Sequence, residues 1–65
     1  VPLISIRLKA GRGREELEDL VRGVSEATAG ALEVPVESIR VHLFELAPDR
    51  VGRGGRLGGD PADEA

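Results

Sequence analysis

The 65-residue sequence contains no cysteine, methionine, tryptophan or tyrosine, and Phe44 is its only aromatic residue. Without cysteine there is no disulfide and no thiolate zinc site. A single histidine, His42, is too little for a dedicated transition-metal centre. One aromatic ring gives no platform for stacking nucleobases and no bulky aromatic core. No apolar run approaches the length of a membrane span. Neither a basic start nor a long apolar stretch marks a signal peptide, so a cytoplasmic location is the default expectation. The net charge of −3 gives no general attraction to nucleic acid. Arg50, Arg53 and Arg56 do sit among glycines, but no Gly-Lys-Ser/Thr follows, so they form no phosphate loop.

What is present is enough for one domain. A chain of this size buries only about 60% of the surface it exposes when unfolded, and is marginal alone. With disulfides and metals excluded, self-association is the remaining route to stability.

Residues 2–9 alternate, with Ile4, Ile6 and Leu8 on one side and Leu3, Ser5, Arg7 and Lys9 on the other. This period predicts a half-buried strand. Residues 10–13 form a glycine turn, and Gly13 is an acceptable helix N-cap. Over residues 14–32, Leu17, Leu20, Val21, Val24, Ala27, Thr28, Ala31 and Leu32 recur at three- and four-residue steps, which predicts an amphipathic helix. Glu15, Glu16, Glu18 and Asp19 crowd its first turns, where the helix dipole favours anions. Pro35 forbids continuation of the helix. Residues 38–46 form a second strand, with Ile39, Val41 and Leu43 on one face and Arg40, His42, Phe44 and Leu46 on the other.

Strand, helix and strand make an α/β fold: one βαβ unit with two parallel strands and a right-handed crossover. The helix covers one sheet face and leaves the other for partner subunits, because two strands and one helix are not a stable sheet alone. Residues 47–57, with a Pro-Asp turn and then glycines, predict a short β-hairpin lying on a neighbouring subunit. The domain is expected over residues 1–57 and a flexible tail over residues 58–65.

Pro2 stands out chemically. A proline with a free amino terminus is a secondary amine, able to act as a base or as a nucleophile toward carbonyls. With Val1 attached, its nitrogen is a tertiary amide without basicity. A GUG start codon is written as valine in a conceptual translation but decoded as methionine, which is removed ahead of proline. The expectation is that Pro2 is the working terminus.

From Pro2 to about Leu57 the chain resembles the 4-oxalocrotonate tautomerase family. The landmarks are Pro2, Gly11-Arg12, Val24-Ser25-Glu26-Ala27, Pro35, Ser38-Ile39-Arg40-Val41, Glu45 and Gly52-Arg53-Gly54-Gly55, in order and without an internal gap. The resemblance implies a hexamer built as a trimer of dimers. It implies a cofactor-independent, metal-free tautomerase of unsaturated keto or enol acids such as 2-hydroxymuconate. Pro2 would be the general base that moves a proton between oxygen and carbon of a dienol. Arg12 and Arg40, from different subunits, would bind the carboxylates and the carbonyl oxygen, with Ser38 beside the site. The chemistry agrees: an apolar site and nearby arginines both disfavour a protonated proline amine. Arginine suits carboxylates through its bidentate fork, and cations stabilise the developing enolate.

Four departures from the family pattern bear on function. Val51 stands where an aromatic residue usually forms part of the site wall, which leaves a roomier pocket. Lys9 replaces an apolar residue at the mouth, Arg53 adds charge near the glycine turn, and Val1 precedes the proline. They point to a changed or more highly charged substrate, to a biosynthetic isomerase acting on a larger one, or to a non-catalytic subunit of a mixed hexamer. The family's dehalogenases activate water with a carboxylate after the second strand. This chain has no acid between Asp49 and Asp60, which disfavours that reaction.

Overall fold

The computed structural model describes residues 1–58. Strand β1 (Leu3–Lys9) leads into helix α1 (Arg14–Leu32), and strand β2 (Arg40–Leu46) returns beside β1. Two short strands, β3 (Gly52–Arg53) and β4 (Arg56–Leu57), end the described chain. β1 and β2 are parallel, with Leu3 opposite Arg40 and Lys9 opposite Leu46. Ala10 N–H adds a further bond to Leu46 O at 2.7 Å, extending the pairing past the end of β1.

Helix α1 covers the predicted 14–32. It starts at Gly13, whose carbonyl accepts from Leu17 N–H at 3.2 Å, and Glu15 and Glu16 occupy its first turn. The buried stripe runs somewhat differently from the sequence expectation. Ala29 is buried and Ser25 half-buried, whereas Ala27, Ala31 and Leu32 are exposed in the single chain. Ala27 and Ala31 stand two residues either side of buried Ala29, about 200° around the helix from it, and so lie off the covered face. The helix ends on Glu33, which sits in the left-handed region at φ 56°, ψ 47°, where its N–H bonds back to Ala29 O. A side chain there costs about 1 kcal/mol that glycine avoids. Glu33→Gly is therefore expected to raise the thermal midpoint of unfolding, read by circular dichroism at fixed protein concentration.

The second strand begins at Arg40 rather than at residue 38. Ser38 N–H and Ser38 Oγ both bond to Pro35 O, at 3.0 and 2.7 Å, and fold Val36–Ser38 into a single 3-10 turn. The chain becomes extended only at Ile39, which is buried.

The C-terminal hairpin is present and short. Pro48–Arg50 form a 3-10 turn, then β3 and β4 pair antiparallel across Gly54 and Gly55, at φ 61° and 83°. Two consecutive positive φ values match the tight two-residue turn favoured by the twist of hairpin strands. Gly58 N–H bonds to Val51 O at 2.7 Å and closes the arm into a ring. Gly58 therefore belongs to the hairpin, while residues 59–65, the rest of the expected tail, lie outside the described residues. A Cβ on Gly58 would run into the Pro48 carbonyl. Gly58→Ala is expected to open the arm, seen as faster tryptic cleavage after Arg50, Arg53 and Arg56; unchanged cleavage would show that the ring does not hold it.

In the single chain only Ala29 and Ile39 fall below a tenth exposed among the described residues. The sheet face away from α1 carries Leu3 (64% exposed), Phe44 (45%) and Leu46 (38%). Arg7 crosses this face with its guanidinium 5.8 Å from the centre of the Phe44 ring. So thin a core does not offset the conformational entropy of ordering the chain. Among the described residues no helix is long and apolar enough to cross a membrane.

Candidate active site

The residues singled out in the sequence fall into two groups at opposite ends of the sheet. Pro2, Ser38 and Arg40 share one end. Arg40 N–H donates to Pro2 O at 3.0 Å, so parallel pairing fixes the first residues of β1 against the start of β2. The Arg40 guanidinium is partly held in place as well. Its Nη1 donates to Glu37 O at 2.8 Å and to Ile39 O at 3.4 Å, across the 3-10 turn. The other guanidinium nitrogens make no hydrogen bond among the described residues and are available to a ligand. Ser38 is half-buried, and its hydroxyl proton is used on Pro35 O. Its oxygen retains acceptor capacity.

Lys9, Arg12 and Val51 belong to the other end. Lys9 closes β1 opposite Leu46 and is exposed. Arg12 lies in the turn before α1, with Nε 4.0 Å from Glu16 Oε2 and both side chains more than half exposed. Val51 is half-buried on the arm that leaves β2. A seven-residue strand at about 3.3 Å per residue separates the ends by about 23 Å. An arginine side chain reaches less than half of that. Within one chain Pro2 meets Arg40 but not Arg12, Lys9 or Val51.

A surface groove of about 480 Å³ lies elsewhere, between α1 and β2, lined by Arg14, Leu17, Glu18, Val21, Arg22 and Leu43. Its polar rim is spent on local pairs, Arg14 with Glu18 at 3.0 Å and Arg22 with Asp19 at 2.7 Å. It gathers none of the candidate residues.

A family model described as a tautomerase enzyme matches residues 2–60. The chain belongs to the tautomerase family. With membership comes the class of activity, that of an isomerase interconverting tautomers. Among similar sequences, the 2-hydroxymuconate tautomerase of Pseudomonas putida is 40% identical over 57 residues, 88% of this chain and 90% of that one. Among solved structures, a 4-oxalocrotonate tautomerase homologue of the tomaymycin biosynthetic pathway aligns with a TM-score of 0.82 at 38% identity, covering 86% of each chain. A heterohexameric 4-oxalocrotonate tautomerase from Chloroflexus aurantiacus J-10-fl aligns with a TM-score of 0.83 at 32% identity, covering 88% of this chain and 92% of the other.

In this tautomerase Arg56 stands directly across from Arg53, a juxtaposition that residue type and local pattern do not reveal. Its cross-strand position opposite Arg53 depends on the hairpin register. The Gly54-Gly55 pair was the signal that could have fixed that register.

Proposed function

We propose that the chain ketonises an unsaturated 2-hydroxy acid of the 2-hydroxymuconate class, with the Pro2 amine as general base once the residue before it is removed. The observation that supports this reading is the backbone bond from Arg40 N–H to Pro2 O, which keeps residues 2 and 40 at the same end of the sheet. In the reaction the Pro2 nitrogen takes the proton from the enol oxygen and returns it to carbon further along the conjugated system. Arg40 and Arg12 hold the carboxylates and offset charge on the oxygen as it develops.

The length of β1 favours a shared site. Pro2 and Arg40 come from one copy, and Lys9, Arg12 and the Val51 arm from others. A second copy of β1 running antiparallel along the open strand edge would carry its Lys9–Arg12 end to the first copy's Pro2. The thin core and the exposed Leu3, Phe44 and Leu46 favour such an assembly, and a hexamer is the form we assign to it. A mixed hexamer with a related subunit is the second reading, favoured by the likeness to the heterohexameric Chloroflexus enzyme. Intact mass of the native protein, followed by an ultraviolet assay of 2-hydroxymuconate ketonisation, tests the proposal. A mass beginning at Pro2 together with turnover is expected. Retention of Val1 in an active protein would defeat the assigned base.

A further inference from the structure

The hairpin sets two arginines directly across from each other. Arg53 of β3 is the cross-strand partner of Arg56 of β4, and both are exposed. Like charges facing each other destabilise a strand pair, and a two-stranded hairpin has little stability to lose. Among the described residues neither arginine has an ion-pair partner, since the three salt bridges all involve α1. Asp49 is the only acid between residues 46 and 59. Among the described residues the hairpin thus presents a pair of guanidinium groups with no acidic partner.

The faces of the hairpin decide what the pair confronts. Residues two apart on a strand share a face, so Val51 and Arg53 look the same way, and Arg56 joins them from the opposite strand. Gly58, bonded to Val51 O, adds no side chain to this face, and Gly52 and Leu57 occupy the reverse. The result is a valine floor with two planar forks rising beside it. Forks on neighbouring strands, about 5 Å apart, suit the oxygens of one carboxylate.

We propose that Arg53 and Arg56 clamp an anionic group of the substrate beyond those held by Arg12 and Arg40. The substrate class is then a keto or enol acid with three anionic groups. This rests on the tautomerase reading above, in which Val51 lines the site. A group packed on Val51 lies one row along the same hairpin face from both forks. A wall that is aliphatic at its base and cationic at its rim selects a substrate with a charged branch, not a longer apolar one.

The test is calorimetric titration of the assembled protein with propane-1,2,3-tricarboxylate and with glutarate, which lacks the central carboxylate. The wild-type protein is expected to bind the tricarboxylate about tenfold more tightly, and R53Q/R56Q to lose that preference while binding glutarate as before. Equal affinities in the wild type, or a preference that survives in R53Q/R56Q, would overturn the clamp. R53K/R56K keeps the charge without the forks; it is expected to stay assembled and lose most of the preference. Dissociation of both double variants, with no preference in the wild type, would mean that the arginines join copies instead and would equally overturn it. Ketonisation of 2-hydroxymuconate is followed in parallel. A wild type inactive on any enol acid refutes the tautomerase reading and the clamp with it. An active wild type without the tricarboxylate preference refutes the clamp alone.

Discussion

A chain in which the Pro2 nitrogen stays acylated is expected to ketonise its substrate about 10²–10⁴-fold more slowly than one beginning at Pro2. An amide nitrogen has no lone pair to offer, so general-base catalysis is lost while binding survives. Pro2→Ala is milder, because a free alanine terminus is still an amine, though a primary one placed differently. The lower end of the same range is expected for it. Neither change should harm the fold. The bond that fixes this end of β1 runs from Arg40 N–H to the carbonyl of residue 2, and alanine supplies the same carbonyl. Stopped-flow ultraviolet spectroscopy gives the rate, and sedimentation velocity shows whether the assembly is intact. An assembled Pro2→Ala protein with the wild-type rate would remove Pro2 from the chemistry.

Arg12→Gln is expected to lower kcat/KM by about 10²–10³-fold, the usual consequence of deleting one preorganised stabiliser of developing oxygen charge. Arg12 gives a cleaner experiment than Arg40. Arg40 also holds the 3-10 turn through Glu37 O, so its removal loosens the site end of the sheet. Arg12 has only a 4.0 Å contact with Glu16, with both side chains largely in water. Such a pair contributes at most about 0.5 kcal/mol, so the thermal midpoint should hardly move. The stronger form of the test uses two inactive proteins. If Pro2 and Arg12 of one site come from different copies, Pro2→Ala and Arg12→Gln chains mixed and reassembled should recover about a quarter of wild-type activity, the statistical share of sites with both groups intact. No recovery in a mixture shown by mass to be scrambled would place both groups in one chain.

The parts of the fold legible in the sequence are those governed by local periodicity. The alternation from Leu3 to Lys9 and the three- and four-residue steps from Leu17 gave one strand and one helix close to their observed bounds. The start of β2 was misplaced by two residues because Ser38 bonds back to Pro35, a choice made by a hydroxyl rather than by hydrophobic pattern. Ala27, Ala31 and Leu32 fit three- and four-residue steps yet lie exposed, because the stripe read from the sequence is broader than the face centred on Ala29 that is covered. The candidate residues were recognisable one by one through the family resemblance. Their division between two ends was not, since it follows from the rise of a strand and not from residue type. The opposition of Arg53 and Arg56 is of the same kind: it exists only once the Gly54-Gly55 turn has set the register.

The span of β1 has an evolutionary consequence. In the proposed assembly each chain lends one end to one site and its other end to another. After a gene duplication, one copy can lose its amine while its sister loses its Gly11-Arg12 turn, and the two still complete sites together. Neither gene can then be discarded, and neither product works by itself. A single strand too long for its own side chains to bridge is enough to turn a self-sufficient enzyme into an obligate pair.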